Sequence, residues 1–165
     1  MADVPVFGTP IPGVTYKHRP SAYALVRNER GEIAVARTPL NCFLPGGGMD
    51  PGETPEQTIQ REGREECGFL LRPLNFIGKA IEICYADDER QYFEKDSAFV
   101  VAEVVGYDTK TEDDHELLWL TPAKAIEALS HGSHRWAVEQ LDPLSYGKSN
   151  TDSNRRTRIA RIDTD

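Results

Sequence analysis

Short apolar runs separated by polar turns dominate the first third of the chain. Residues 21–26 (SAYALV) and 32–37 (EIAVAR) are two such runs, and the polar segment NERG lies between them. Runs of this length between turn residues predict β-strands, here joined by a hairpin-like turn. A third run, residues 42–44, is stopped by Pro45 and the three glycines that follow it.

The clearest helix signal covers residues 55–67. Thr54 suits the N-cap, and Pro55 suits the first helical position, where the missing N–H of proline costs least. Gln57 completes a capping box with Thr54. Gly68 suits the left-handed residue that ends a helix. The sequence therefore predicts both ends of this helix.

Two long β-type stretches, residues 71–85 and 91–105, follow the helix. A polar acidic loop then leads to a short predicted strand at residues 117–120. A Thr-Pro pair opens a further helix, and a last short helix is predicted near residues 136–141. Strands with helices both between and after them predict an α/β fold, in which helices cover a mixed sheet.

Length and composition indicate one domain. The chain has 165 residues, of which 39% are hydrophobic, and this is enough to bury one core. We assign residues 1–146 to that domain. From residue 147 onward the sequence becomes polar, and residues 147–165 are predicted to form a mobile C-terminal tail.

The overall charge and the cysteines narrow the class of protein. The formal net charge is −8, which argues against nucleic acid or an anionic membrane as a partner, because both require clustered Lys and Arg. The three cysteines are widely spaced and form no CxxC pair, which predicts reduced thiols. With no visible secretory signal and no run of about 18 apolar residues, we expect a cytoplasmic protein without a membrane span.

Three glutamates crowd one face of the predicted helix. Glu62, Glu65 and Glu66 lie at positions i, i+3 and i+4, within an arc of roughly 100°. Glu62 and Glu66 are like charges that destabilise an isolated helix, and Gly63 costs roughly 1 kcal/mol against alanine. A helix that breaks several local rules at once is a candidate functional site.

A solvated acidic face is the simpler interpretation of three glutamates alone. However, Ile59, Gly63 and Cys67 form a small or apolar stripe at i, i+4 and i+8 beside them. That flank is predicted to be packed, which places the glutamates at the edge of a cleft. The three glycines also lie shortly upstream. Clustered carboxylates next to accessible backbone suit a hard divalent cation, Mg²⁺ or Mn²⁺, which would relieve the repulsion and bridge to phosphate oxygens.

Residues 47–69 (GGMDPGETPEQTIQREGREECGF) resemble the Nudix box, and the likeness extends over about residues 14–142. Many fixed positions at fixed spacing make this pattern specific. The one departure is Gly63, where the family usually has an aliphatic residue or alanine, and we interpret it as closer helix packing. The matching positions are Gly47, Glu53, Arg61, Glu62, Glu65, Glu66, Gly68 and Phe69.

The resemblance implies a Nudix α/β/α sandwich with a mixed β-sheet and a MutT-like hydrolase. Its reaction would be Mg²⁺- or Mn²⁺-dependent cleavage of a phosphoanhydride by metal-activated water. The substrate would be a small molecule, a nucleoside diphosphate linked to another group, such as a canonical or oxidised nucleoside triphosphate. The resemblance also leaves a homodimer open, because family members are often dimers.

The same resemblance implies roles for individual residues. Glu53 and Arg61 would hold the loop and the helix together through an ion pair. Glu62 would be the general base or would bind the metal through water. The metal ligands would be Gly46 (through its carbonyl), Glu62, Glu65 and Glu66.

Family members often add an acid from a distant loop. The segment TKTEDDHE supplies four acids here, and we select Glu112 and Glu116, although a solvated loop explains each residue equally well. His131 and His134 are too few, and too loosely tied to acids, to indicate zinc. Aromatic residues such as Phe43 could stack on a base, but strand packing is the simpler account. The substrate-binding residues therefore stay unassigned.

Two alternatives to an enzyme stay open. A Nudix-fold module could recognise a nucleotide, or serve a regulatory role, without cleaving it. Against this, every acidic position of the box is present, and a degenerate module would be expected to lose one. A structural domain that binds a divalent ion is the weakest alternative.

Overall fold

Two β-sheets and three α-helices make up residues 3–141, the part of the chain that this computed structural model describes. The larger sheet has the strand order β1 (Val6–Phe7), β6 (Phe69–Ala86), β7 (Gln91–Tyr107), β2 (Lys17–Val26) and β5 (Gly46–Gly48). The smaller sheet has the order β4 (Cys42–Phe43), β3 (Ile33–Arg37) and β8 (Glu116–Leu120). The helices are α1 (Pro55–Cys67), α2 (Pro122–Ala128) and α3 (Gly132–Glu139).

The larger sheet is mixed, as predicted. Strand β2 runs parallel to β7, and β1 runs parallel to β6, whereas β6–β7 and β2–β5 are antiparallel pairs. The predicted α/β fold with a mixed sheet is therefore confirmed. None of the described helices is long and apolar enough to cross a membrane. The predicted boundary at residue 146 and the tail beyond it lie outside the described residues.

Alternating side chains of the central strands build two cores. Ala22, Ala24 and Val26 of β2 pack on the α1 side, in a cluster that includes Ile59 of α1. The residues between them face the opposite cluster, in which Leu25 packs with residues of α2 and α3. Because side chains alternate between the two faces along β2 and β7, each face of the sheet packs against its own layer of helices. This gives the three-layer α/β/α arrangement.

Helix α1 begins and ends where the sequence predicts. The Thr54 side chain accepts a hydrogen bond from the Gln57 backbone N–H, and the Gln57 side chain accepts one from the Thr54 N–H, so the capping box is complete. Gly68 has a φ of 70° and its N–H donates to the carbonyl of Arg64. These bonds satisfy backbone groups that a helix end otherwise leaves without partners.

The predicted hairpin is only half correct. The turn is present, because the Asn28 side-chain oxygen accepts hydrogen bonds from the N–H groups of Arg30 and Glu32. Beyond a single bridge between Arg27 and Ile33, however, the two strands separate into different sheets. Strand β2 pairs with β5 and β7, while β3 pairs with β4 and β8.

Three other elements differ from the sequence-based expectation. The glycines after Pro45 do not only stop a strand, since they form β5 against β2. Strand β1 is too short to give a pattern and is held by two residue pairs with β6. Helix α3 begins at Gly132 and not near residue 136, and its N-cap His131 makes no side-chain capping bond that the sequence could have signalled.

The stripe predicted on α1 is a packing face. Ile59 and Gly63 are buried, and Cys67 is partly buried. A Cβ at Gly63 would lie 2.7 Å from Cδ1 of Leu71 on β6. Glycine therefore lets α1 approach the sheet more closely than any larger residue would at this position.

We predict that Gly63→Val destabilises the fold. The valine side chain would collide with the buried Leu71, and overpacking of this kind costs about 1–3 kcal/mol. Chemical denaturation would measure the loss. Arg64→Val, at the exposed neighbouring position, is the matched control, because it adds the same β-branched side chain without the collision. Equal stability of the two variants would contradict the close packing.

Candidate active site

The buried carboxylate of Glu66 joins helix α1 to strand β5. Its Oε1 accepts a hydrogen bond of 3.0 Å from the backbone N–H of Gly46, and the residue is 8% exposed. A Cβ at Gly46 would lie 2.2 Å from the carbonyl oxygen of Ala22, so only glycine fits where β5 meets β2. Close strand pairing thus aims a backbone donor at a helix carboxylate.

Arg61 is the cation at the centre of the acidic face. Its Nε and Nη2 donate to both carboxylate oxygens of Glu53 at 2.7 and 3.0 Å, and Nη2 also donates to the carbonyl of Gly48 at 3.0 Å. Its Nη1 reaches Glu62 at 3.2 Å and Glu65 at 3.4 Å. The guanidinium therefore fixes the loop before α1, strand β5 and the glutamates of α1 in one geometry.

The Glu53 carboxylate is strongly held in its ionised form. Hydrogen bonding to Arg61, together with bonds from the Asp50 N–H and the Thr58 hydroxyl, lowers the pKa of Glu53 to about 2. The hydrogen bonds to Glu53, with the charges of Glu62 and Asp50 added, raise the pKa of Arg61. Glu53 faces the loop and the base of α1, so its role in this geometry is positioning.

Glu62 and Glu66, in contrast to Glu53, have raised pKa values. Burial, with the charges of Glu65 and Glu112 added, raises the pKa of Glu62 to about 7 despite the Arg61 contact. Burial and the Glu62 charge raise the pKa of Glu66 well above its ordinary value. A Cβ at Gly47 would lie 2.5 Å from Oε2 of Glu62, so β5 is also pressed against this second carboxylate.

The acidic loop after β7 is fastened to the last turn of α1. The N–H groups of Thr111 and Glu112 both donate to the carbonyl of Glu65 at 3.0 Å, and the Asp108 N–H donates to Gly68. This places a Glu112 carboxylate oxygen within 4.8 Å of oxygens of Glu62 and Glu65. Of the two loop acids selected from the sequence, Glu112 lies among the α1 glutamates.

Glu116 lies elsewhere. It is the first residue of β8, where it is exposed and paired with Arg37 of the neighbouring strand β3. It does not line the cleft that the other candidates share. The structure therefore brings together Glu53, Arg61, Glu62, Glu65, Glu66, Gly46 and Glu112, and leaves Glu116 outside the group.

His115 is a further candidate site residue, which the sequence reasoning missed. Its Nε2 lies 3.3 Å from Oε2 of Glu66, and its Nδ1 lies 3.1 Å from Glu112 and 3.0 Å from Asp114. His115, Glu66 and Glu112 form a second group whose ligand atoms lie within 4.8 Å of one another. The signal available in the sequence was a histidine embedded in the same acidic segment that supplied Glu112.

A cleft of about 470 Å³ opens beside these carboxylates. Glu62, Glu66 and His115 line one part of it, and the aromatic rings of Phe43 and Tyr85 line another. Two cationic side chains lie on its wall, Lys95 and Arg19, of which Arg19 is paired with Glu89 at 2.8 Å. The cleft therefore offers an acidic end, an aromatic surface and local positive charge in one cavity.

Phe93, His134 and His131 are the remaining aromatic and histidine candidates, and the first two are buried in the protein interior. Phe93 is buried beneath the guanidinium of Arg19, which lies 3.9 Å from the ring centroid. His134 is fully buried and its Nδ1 accepts a hydrogen bond from the Leu44 N–H. Burial lowers the pKa of His131, which lines the cleft, to about 3, so this imidazole is neutral at physiological pH.

Comparison with known proteins identifies the family. The NUDIX domain family matches residues 17–141, which is most of the chain. The chain belongs to the Nudix family. Its structure also resembles the MutT NUDIX hydrolase from Burkholderia pseudomallei, with a TM-score of 0.58 and 26% sequence identity over 76% of this chain and 99% of that one. The predicted membership is thereby confirmed.

Two curated relatives illustrate the range of the family. The 8-oxo-dGTP diphosphatase of Escherichia coli (strain K12) is 40% identical over 64 residues, which cover 35% of this chain and 50% of that protein. The Isopentenyl-diphosphate Delta-isomerase of Corynebacterium diphtheriae is 31% identical over 132 residues, 70% of this chain and 72% of that protein. The chain thus spans about half the length of the first relative and 72% of the length of the second.

We predict that Glu53→Gln destabilises this Nudix domain in a pH-dependent way. The folded-state pKa of Glu53 lies below its ordinary value of 4.5, so the carboxylate stabilises the fold above pH 4.5 and this contribution disappears as the pH falls toward 2. The variant should lose about 1–2 kcal/mol at pH 7 and progressively less below pH 4.5. Urea titrations at several pH values would measure the difference between variant and wild type.

Glu127→Gln, at an exposed glutamate of α2, is the control for this experiment. It should change stability by less than about 0.5 kcal/mol at each pH. A Glu53→Gln deficit that stays constant from pH 7 to pH 2.5 would show that the ion pair with Arg61 does not stabilise the fold.

Proposed function

We propose that this Nudix protein is a Mg²⁺- or Mn²⁺-dependent pyrophosphohydrolase. It cleaves a phosphoanhydride in a nucleoside diphosphate linked to another group. The observation that carries the proposal is the convergence of three carboxylates, Glu62, Glu66 and Glu112, on one end of a cleft. Arg61 is mainly engaged by Glu53, so this end of the cleft keeps an excess of negative charge.

The donor set fits a hard divalent cation. Carboxylate oxygens of Glu62, Glu65 and Glu112 lie within 4.8 Å of one another, and the backbone of Gly46 lines the same cleft. Oxygen ligands of this kind suit Mg²⁺ and Mn²⁺. Such an ion, when bound, supplies positive charge that neutralises phosphate oxygens and activates a water molecule. We assign Glu65 and Glu66 as ligands, with Gly46 contributing its carbonyl.

Glu62 is our candidate for the general base, either directly or through a water-mediated contact with the metal. Its carboxylate lines the cleft beside Glu66 and Glu112, where it can accept a proton from an attacking water. Arg61, at 3.2 Å from Oε2, keeps the carboxylate in place next to Gly47.

The rest of the cleft suits the organic part of a nucleotide. Phe43 and Tyr85 offer rings on which a base can stack, while Lys95 offers positive charge to phosphate oxygens. Arg19 also lies on the wall, but it is paired with Glu89 through two hydrogen bonds of 2.8 Å. Lys95 supplies local attraction in a protein whose net charge of −8 repels anions at a distance. We therefore propose a small-molecule nucleotide as the substrate, with canonical and oxidised nucleoside triphosphates as the first class to test.

The first experiment is a turnover screen in which chromatography separates the nucleotide products from the substrate. The panel contains canonical and oxidised nucleoside triphosphates, nucleotide sugars and dinucleoside polyphosphates, each with Mg²⁺, with Mn²⁺ and with chelator. Isopentenyl diphosphate is added with an isomerisation assay, because one relative of 31% identity is an isomerase of that compound. Metal-dependent turnover of one nucleotide class supports the proposal. Nucleotide binding without turnover of any compound favours a non-catalytic module.

We predict that Glu66→Gln lowers turnover by at least about 100-fold in this screen, the size typical of a lost electrostatic catalytic contact. The glutamine oxygen can still accept the Gly46 N–H, and the substitution removes a buried charge, so the melting temperature in chelator should not fall. Glu127→Gln is the matched control. Full activity of Glu66→Gln would remove Glu66 from the metal site.

A second pair of variants separates the two loop acids. Glu112→Gln should lower kcat by about 10-fold or more, because Glu112 lies among the α1 carboxylates. Glu116→Gln should change kcat by less than about 2-fold, because its partner is Arg37 on a neighbouring strand. Equal effects of the two substitutions on kcat and on its pH profile would contradict the assignment.

A further inference from the structure

His115 projects from an anchored loop into the acidic end of the cleft. The ammonium group of Lys110 donates to the His115 carbonyl, and the Glu112 N–H donates to the last turn of α1. The side chains of His115 and Glu66 are only 13% and 10% exposed. Water therefore has little access to the space between the imidazole and this carboxylate.

The two nitrogens of the imidazole ring have different neighbours. On the loop side, Nδ1 makes a hydrogen bond of 3.0 Å with Asp114, and a carboxylate oxygen of Glu112 lies 3.1 Å away. This arrangement favours the tautomer that carries its proton on Nδ1. The lone pair of Nε2 then points toward Oε2 of Glu66 at 3.3 Å. Two acceptors at that distance require either a shared proton or a shared cation.

We propose that His115 Nε2 is a ligand of the divalent ion bound at Glu66, and that this nitrogen makes the site prefer a transition-metal dication such as Mn²⁺ or Co²⁺ over Mg²⁺. The proposal rests on the proposed metal-dependent function, which it makes more specific. It adds a nitrogen donor to a site that the α1 glutamates alone would make all-oxygen.

The geometry agrees with a shared ion. Ligands at about 2.1 Å from one ion and at right angles to each other lie about 3 Å apart, close to the 3.3 Å between Nε2 and Oε2. A carboxylate that accepts from the other ring nitrogen is the usual partner of a metal-binding histidine. Asp114 and Glu112 occupy that place here.

The expected selectivity follows from the donor atom. Imidazole binds transition metals well, whereas Mg²⁺ takes oxygen ligands and is reluctant to lose water. Loss of the imidazole should therefore weaken binding of Co²⁺ or Mn²⁺ much more than binding of Mg²⁺. A purely structural role for His115, as a charged partner of Glu66, predicts no such difference between metals.

The test measures metal binding directly, without substrate. Electron spin-echo spectroscopy of the Mn²⁺-loaded full-length protein should show nitrogen coupling to the ion, and His115→Gln should abolish it. Calorimetry should show that His115→Gln weakens Co²⁺ binding by at least about 10-fold and Mg²⁺ binding by less than about 3-fold. His18→Asn is the matched control, because His18 is exposed and lies outside the cleft, beside Glu94.

Each outcome bears on the proposal. Nitrogen coupling that is lost only in His115→Gln, with an unchanged melting temperature in chelator, supports it. No coupling in the wild type, coupling that survives in His115→Gln, or equal weakening of Co²⁺ and Mg²⁺ would overturn it. Nucleotide turnover with Mg²⁺ is measured in parallel, so the hydrolase can be upheld even if the histidine ligand is rejected.

Discussion

The contact on which the site depends most is the one between Arg61 and Glu53. Two charge-assisted hydrogen bonds in a planar fork are strong and directional, and here they connect the loop before α1 with the middle of that helix. The same guanidinium donates to the carbonyl of Gly48. One side chain thereby sets the distance between β5 and α1, and every carboxylate of the helix is positioned relative to the glycine backbone through that distance.

Arg61 holds the acids together but does not neutralise them. Two unit charges about 4 Å apart repel by about 4 kcal/mol at an effective dielectric constant of 20. Glu62, Glu66 and Glu112 are closely spaced and partly or fully buried, and burial, with the charges of the neighbouring acids added, raises the pKa of Glu62 and of Glu66. The divalent cation that we propose for this site would offset the repulsion between these carboxylates.

The sequence predicts the local features of helix α1, but it does not predict the features that depend on how the strands pair. The ends of α1, its packed stripe and the spacing of its glutamates all lie within about 15 residues, and the structure confirms the caps and the stripe. Strand β5 was missed because a Gly-Gly-Gly segment looks like a turn until β2 is placed beside it. Glu112 and Glu116 are equivalent in sequence, and only the pairing of β8 with Arg37 of β3 separates them. His115 was overlooked because its partner Glu66 lies 49 positions earlier in the chain.

Gly63 shows how packing and chemistry are connected in this domain. It is the one departure from the family pattern, and it lies next to Glu62 but faces Leu71 of β6. Because α1 contributes no side chain there, it packs directly on Leu71, and Glu66 on the same helix reaches the Gly46 N–H at 3.0 Å. The same depth brings Glu62 against Gly47, where a Cβ would lie 2.5 Å from Oε2 and displace the carboxylate. The glycines on both sides of the interface therefore set how far the carboxylates are buried, and that burial is the main cause of their raised pKa values.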